Sequence, residues 1–358
     1  MGHVAWLEAL SPWPEDGFGL ERMHALLAGL GEPQAGLAAV HVVGTNGKST
    51  TTRMVEELLR DRGLRMGAYL SPHVRSWAER IRVDGREADL EAALGAVRPA
   101  AERLAATQFE VLTAAALVAF RTARVEAAAI EAGLGGRHDA TNVLDATRVV
   151  VLTNVSLEHT EVLGTTREAI AAEKLAVTRP GCTVVLGEPE WEALAHAAGA
   201  GRVLVETSGS LAVALAAAGA FFGEPVDGAA AERVTLPGRL ERRPGEIRDG
   251  AHNPGGVRWL VEHLPPDDYT VMASMLADKD VDAMLAALAA VGRRFVACRS
   301  SSPRALGADG LGARAASHFE RVEVRDDPHE ALALAHAVGE PVLVTGSLYL
   351  LAELAAEE

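Results

Sequence analysis

Short apolar runs alternate with longer stretches of helical periodicity along most of this chain. Val40-His41-Val42-Val43 reads as a buried strand feeding a glycine-rich loop, and Ser49 to Arg62 as the helix after it. Ala127-Ala128-Ala129-Ile130-Glu131 and Arg148-Val149-Val150-Val151-Leu152 predict further strands, each running into polar or glycine residues. Strands alternating with helices predict a mainly parallel sheet covered on both faces, and ligands collect at the carboxyl ends of such strands. The pattern pauses at Leu236-Pro237-Gly238-Arg239, and the stretch to Gly245 is rich in Pro, Gly and Arg. A domain boundary is expected there, giving an N-terminal domain over 1–240 and a C-terminal domain over 241–358. In the second, strands are expected at Ile247-Arg248-Asp249, Thr270-Val271-Met272, Phe295-Val296-Ala297, Val322-Glu323-Val324 and Val342-Leu343-Val344. The fold class is α/β, with a smaller Rossmann-like domain following a larger one.

Composition narrows the function. With 358 residues there is ample chain for two cores, and 49% hydrophobic content with 4% aromatic means those cores are built from Ala, Val and Leu. A net charge of -15 argues against a nucleic-acid surface, which needs a basic face. Cys182 and Cys298 lie far apart and make no metal or redox spacing, which suits a reducing compartment. The segment Met1 to Asp16 lacks a basic-then-apolar signal pattern, and the apolar run Leu211 to Phe222 is too short to span a bilayer. A cytoplasmic monomer with no membrane or nucleic-acid partner is the expectation. Most unusual is the choice of cation, with three lysines (Lys48, Lys174 and Lys279) against 31 arginines. A lysine kept in so arginine-rich a chain suggests work a guanidinium cannot do.

Lys48 lies in Gly44-Thr45-Asn46-Gly47-Lys48-Ser49-Thr50, between the first strand and its helix. Glycines let backbone N–H groups converge on phosphate oxygens, the helix N-terminus adds positive potential, and Lys48 adds a point charge. Ser49 or Thr50 offers a hydroxyl to phosphate or Mg²⁺. Val42 occupies the first glycine position of the strict eight-residue pattern, but the strand–loop–helix context is the confirming one. The N-terminal domain is therefore expected to be of P-loop ATPase type. Glu131 closes a strand beside Gly133, Gly135 and Gly136, where a carboxylate can serve Mg²⁺ or simply end a strand in a salt bridge. His159 follows the next strand end, and Lys174 lies on the helix after it; alone, such a His reads more often as structural and such a Lys as a solvated surface charge. Asp249-Gly250-Ala251-His252-Asn253-Pro254 and Thr345-Gly346-Ser347-Leu348-Tyr349 carry polar groups from a strand end to a helix start, as a ligand loop or a capped turn would.

Taken in order, these segments resemble the folylpolyglutamate synthase/dihydrofolate synthase family of the Mur ligase superfamily. The match runs from Leu20-Glu21-Arg22-Met23 through His41 to Thr50, Leu70-Ser71-Pro72-His73, Phe109-Glu110 with Thr113, and Glu131 to Asn142. It continues through Glu158-His159-Thr160, Glu173-Lys174, Pro237-Gly238-Arg239, Asp249 to Pro254, Asp278-Lys279-Asp280 and Thr345-Gly346-Ser347. The resemblance implies an ATP-dependent ligase joining L-glutamate to a pterin carboxylate through an acyl phosphate, probing either dihydropteroate, folyl-glutamate or both, with bifunctionality the expectation. It implies that Gly44, Thr45, Asn46, Gly47, Lys48, Ser49 and Thr50 hold ATP. Ser71, Glu131 and His159 would ligate two Mg²⁺ ions, with Lys174 carbamylated as an extra acidic ligand. Arg239 and Asp249 would contact the nucleotide. His252, Ser347 and Tyr349 would face glutamate or the acyl phosphate, helped by Arg22. Phe109, Thr113, Asp139 and Asn142 would line the pterin site. Carbamylation needs a neutral amine, which gives the retained Lys174 a chemical reason. Glu158 stands where the family usually has Asp, and Ser210 where it often has an adenine-contacting Asn. Two rivals stay open: a murein-type amino-acid ligase, and a non-catalytic ATP-binding regulator of the same fold. Murein ligases usually carry a further domain ahead of the phosphate loop, whereas Gly44 comes early here, so the folate branch is expected.

Overall fold

A computed structural model describes residues 2–14 and 17–356. The chain divides into two compact units, Met1–Val234 and Thr235–Glu358. The first holds eight strands: β1 (Ala38–Val43), β2 (Met66–Tyr69), β3 (Ile81–Val83), β4 (Arg86–Glu87), β5 (Ala127–Glu131), β6 (Thr147–Leu152), β7 (Thr183–Leu186) and β8 (Arg202–Val205). Their order across the sheet is β4-β3-β2-β5-β1-β6-β7-β8. Pairing is parallel from β2 to β8, and the β2–β3 and β3–β4 pairs run antiparallel.

β1 lies between β5 and β6, buried on both sides, which is why its sequence is nearly continuous in apolar residues. Successive side chains alternate faces. Val40 and Val42 join the core under the Lys48–Asp61 and Ser210–Phe222 helices, whereas Ala39 joins the core that includes the Leu90–Leu104 and Gln108–Thr122 helices. Val43 joins a third cluster built around the Arg167–Leu175 helix. The Gln108–Thr122 helix starts with a reciprocal cap, in which Thr107 accepts from the Glu110 N–H and Glu110 reaches back to Thr107.

The second unit holds β9 (Glu241–Arg243), β10 (Glu246–Arg248), β11 (Thr270–Ala273), β12 (Arg294–Ala297), β13 (Arg321–Val324) and β14 (Val342–Thr345), in the order β13-β12-β11-β14-β10-β9. All pairs are parallel except β9–β10. The Pro- and Gly-rich stretch where the sequence pattern pauses thus contains a strand. Gly245, at φ 73°, turns the chain between β9 and β10. Both sheets end on short, arginine-bearing strands: β4 and β8 in the first, β13 and β9 in the second.

Candidate active site

The loop after β1 is held from the end of β6. Thr45 N–H donates to the Asn154 carbonyl (2.9 Å), Asn46 N–H donates to Asn154 Oδ1 (3.0 Å), and Thr153 Oγ1 donates to the Asn46 carbonyl (2.7 Å). Only glycine fits at 44: φ is 145°, and a Cβ there would lie 1.9 Å from Thr153 Oγ1. Gly47 takes φ 81° just before the Lys48–Asp61 helix, so the N–H groups of the first turn face outward from the loop. Lys48 Nζ folds back onto the Thr45 carbonyl at 3.0 Å. Thr50 sits half-buried on the same first turn.

Glu131, at the end of β5, is buried beside this loop. One carboxylate oxygen accepts from Ser49 Oγ (3.0 Å) and the other from the Ser71 N–H (3.1 Å). Lys174 is buried as well, because the Arg167–Leu175 helix lays it against the strand ends. Its Nζ donates to the Gly44 carbonyl (2.8 Å) and to Glu158 Oε1 (3.0 Å). Burial pushes the Lys174 ammonium down to about 8, with Lys48 adding to the effect and Glu158 opposing it. Burial works against the Glu158 charge, yet Lys174 and Lys48 hold that carboxyl below its usual range. His159 occupies the N-cap of the short Thr160–Leu163 helix in the left-handed conformation, a third exposed and 3.9 Å from Glu161. Among the described residues no three His, Cys, Asp or Glu side chains gather as a metal group. Ser71 gives Glu131 its N–H while its Oγ accepts from Arg80 Nη1 at 3.4 Å; the oxygens that do meet, Ser49 Oγ and the Glu131 carboxylate, are hard donors. They fit a Mg²⁺-type ion, which takes few protein ligands and completes its shell with phosphate and water.

A cleft of about 410 Å³ adjoins this cluster and shares Ser71 with it. Its walls include Trp13, Phe18, Arg80, Phe109, Glu110 and the loop residues Gly133, Leu134, His138, Asp139 and Ala140. That volume is in the range of small-molecule sites, about 300 to 1,000 Å³. Phe109 and Asp139 are on the wall. Thr113 instead donates from Oγ1 to the Phe109 carbonyl and contacts Tyr69 Oη (3.2 Å). Asn142 is engaged by Arg179 (2.9 Å) and by the Arg137 carbonyl (2.9 Å). Arg22 pairs with Glu110 at 2.9 Å. Gly136 lets this loop touch the neighbouring helix, since a Cβ there would lie 2.5 Å from the Lys174 carbonyl oxygen.

In the second unit, Asp249 is buried at the end of β10. It accepts from the Leu240 N–H (2.8 Å) and the Ala251 N–H (2.9 Å), and burial raises its pKa against the nearby Arg239. Arg239 donates to the Gly238 carbonyl. His252 Nδ1 donates to the Gly250 carbonyl (2.8 Å), which fixes that ring nitrogen as the protonated one. Asn253 caps the Pro254–His263 helix and Ser347 caps Leu348–Ala355, the latter accepting from the Tyr349 N–H; Tyr349 itself is exposed. Sequence reasoning gave no role to Arg80, Glu110, Thr153, Asn154 or Glu158. For Glu158 a signal existed, a carboxylate one residue before His159.

The class of the protein follows from comparison. Residues 42–181 match the Mur ligase middle domain. A dihydrofolate synthase/folylpolyglutamate synthase from Mycobacterium tuberculosis is 32% identical, covering 90% of this chain and 83% of its own. Escherichia coli FolC in complex with DHPP and ADP superposes with a TM-score of 0.87 at 30% identity, covering 99% of this chain and 97% of its own. A bifunctional folylpolyglutamate synthase/dihydrofolate synthase with Mn, AMPPNP and L-glutamate bound gives 0.86 at 29% identity, covering 100% and 98%. The chain belongs to the dihydrofolate synthase/folylpolyglutamate synthase family.

Proposed function

We propose that this enzyme uses ATP and a divalent metal to form an amide between L-glutamate and the carboxylate of dihydropteroate, of folyl-glutamate, or of both. One observation carries the reading. The phosphate loop, the Glu131 carboxylate held by Ser49 Oγ and the Ser71 N–H, and the buried Lys174 meet beside a cleft of about 410 Å³ that Ser71 also lines. The relatives named above, with their nucleotide, metal, DHPP and glutamate ligands, support the same chemistry.

The loop N–H groups and Lys48 bind the phosphates of ATP and hold the γ-phosphorus toward the cleft. Mg²⁺ held by Ser49, Glu131 and Ser71 would neutralise charge on the transferring phosphoryl group. The acceptor carboxylate attacks that phosphorus, ADP leaves, and the amine of glutamate then displaces phosphate from the acyl phosphate. We assign a carbamate on Lys174, with His159, to the second-ion site; a depressed amine pKa favours the neutral form that takes up CO₂. Arg239 and Asp249 are assigned to the nucleotide, and His252, Ser347 and Tyr349 to glutamate. Arg22, paired with Glu110, is assigned to help hold glutamate, and Phe109, Thr113, Asp139 and Asn142 are assigned to the acceptor, with Thr113 and Asn142 acting from behind the wall.

A membrane-crossing helix is absent among the described residues. The net charge of -15 argues against a nucleic-acid surface, and we propose a cytoplasmic monomer. ADP release is measured with Mg²⁺-ATP and glutamate, on dihydropteroate and on tetrahydrofolate. Turnover on both is expected, and turnover on neither, with ATP still bound, overturns the reading.

A further inference from the structure

His41 stands in the middle of β1 with no exposed surface, on a strand whose other residues are Ala and Val. A buried imidazole is costly unless it is hydrogen-bonded, and here Nδ1 has no partner. Nε2, however, lies 2.8 Å from Thr141 Oγ1. Thr141 Oγ1 in turn donates to Asp139 Oδ1, which also receives the Thr141 N–H at 3.0 Å, while Oδ2 receives the Leu134 N–H at 2.7 Å. The hydroxyl proton of Thr141 is therefore committed to Asp139, and its lone pair must take a proton from His41. That assigns His41 as the Nε2–H tautomer. Burial, helped by Arg179, pushes its pKa down to about 3, so it remains neutral and able to donate in one direction only.

Asp139 is on the cleft wall, and its carboxylate ties together both ends of the Leu134–Thr141 segment that forms much of that wall. We propose that His41 and Thr141 are positioning residues, a hydrogen-bond relay that holds Asp139 in the orientation the acceptor substrate meets. The relay runs from the strand that feeds the phosphate loop to the cleft wall at Asp139. It rests on the ligase reading above, and it explains why a strand interior that Val would fill at less cost holds a histidine.

The test uses the full chain with Thr141→Val, Thr141→Ser and His41→Phe. Thr141→Val keeps the shape and removes the hydroxyl. It should raise the acceptor KM about tenfold, the size of one hydrogen bond to a charged group. The ATP KM, ADP affinity by calorimetry and kcat should stay within about twofold, a split that marks lost acceptor binding. Thr141→Ser should restore the acceptor KM, and His41→Phe should give the same split as Thr141→Val. An unchanged acceptor KM in Thr141→Val, or a parallel loss of ADP affinity, overturns the relay. If His41→Phe fails to fold, the two Thr141 variants decide. A readout independent of turnover is nitrogen NMR of ¹⁵N-histidine-labelled protein, in which His41 should be the Nε2–H tautomer. A Nδ1–H tautomer overturns the relay even if no acceptor is used. Wild-type silence on both acceptors sinks the ligase reading instead.

Discussion

Replacing Lys174 by arginine keeps the positive charge and loses the amine that can become neutral. With the Lys174 ammonium pushed down to about 8, a minor share of the side chain, about a tenth, is already uncharged near neutral pH, which arginine never is. Lys174→Arg should therefore lower ADP release by at least about a hundredfold, the upper end of losses around a metal site, while calorimetry still detects ADP binding. Full activity in that variant would remove the carbamate. Gly136→Ala is the backbone counterpart: its Cβ would press on the Lys174 carbonyl oxygen. It should cost about 1 to 3 kcal/mol in urea unfolding, as overpacking does. At this scale the sequence was informative wherever a residue type was scarce or spaced by chemistry, as with Lys48 and Lys174. It was silent on Thr153 and Asn154, because they reach the phosphate loop only when β6 lies beside β1. Thr113 and Asn142 lie close in sequence to the cleft wall, yet their hydrogen bonds turn them into its supports.

Helix and sheet edge are joined by charge in the first unit. Glu56, fully buried on the Lys48–Asp61 helix, pairs with Arg53 on its own helix and with Arg82 on β3 at 3.3 Å. Breaking a buried pair from one side leaves an uncompensated charge. In Arg82→Leu, Glu56 keeps Arg53 as its partner, so the loss should be smaller, about 1 to 3 kcal/mol of unfolding free energy, read from the urea midpoint, with little change in KM for ATP. The central strands were legible because burial on both faces makes them continuous apolar runs: β5 was expected at its observed limits, and β1, β6, β11, β12 and β14 within two residues, as was the edge strand β13. β2 (Met-Gly-Ala-Tyr), β7 (Thr-Val-Val-Leu) and β8 (Arg-Val-Leu-Val) went unread, although β11 to β14 are as short. β9 reads Glu-Arg-Arg and is a strand only because it pairs antiparallel with β10.

Acid is the condition under which the whole molecule should weaken. Burial holds His41 at about 3, and burial together with Arg80, whose Nε donates to His73 Nδ1, holds His73 at about 3. In the unfolded chain both titrate near about 6.5. The unfolded state therefore binds protons that the folded state refuses, and stability falls as pH drops from about 6.5 toward 3. Melting temperatures across that range should decline, and His73→Gln should flatten part of the slope; a flat wild-type profile would contradict the burial of these rings. Each unit has its own apolar core, the second built around Val271, Met284, Phe295 and Leu343. Two covered sheets were legible from the alternation of strands and helices, whereas the arrangement of strands within each was not, because crossovers are set by packing rather than by local sequence. The strands left at the rims share one more property. β4, β8, β9 and β13 are two to four residues long, and each carries at least one arginine. An open edge invites a foreign strand, and short charged edges discourage that addition. In a chain nearly stripped of lysine, the gatekeepers against self-templated aggregation are guanidinium groups, so the preference that makes Lys174 conspicuous also sets the chemistry of the sheet rims.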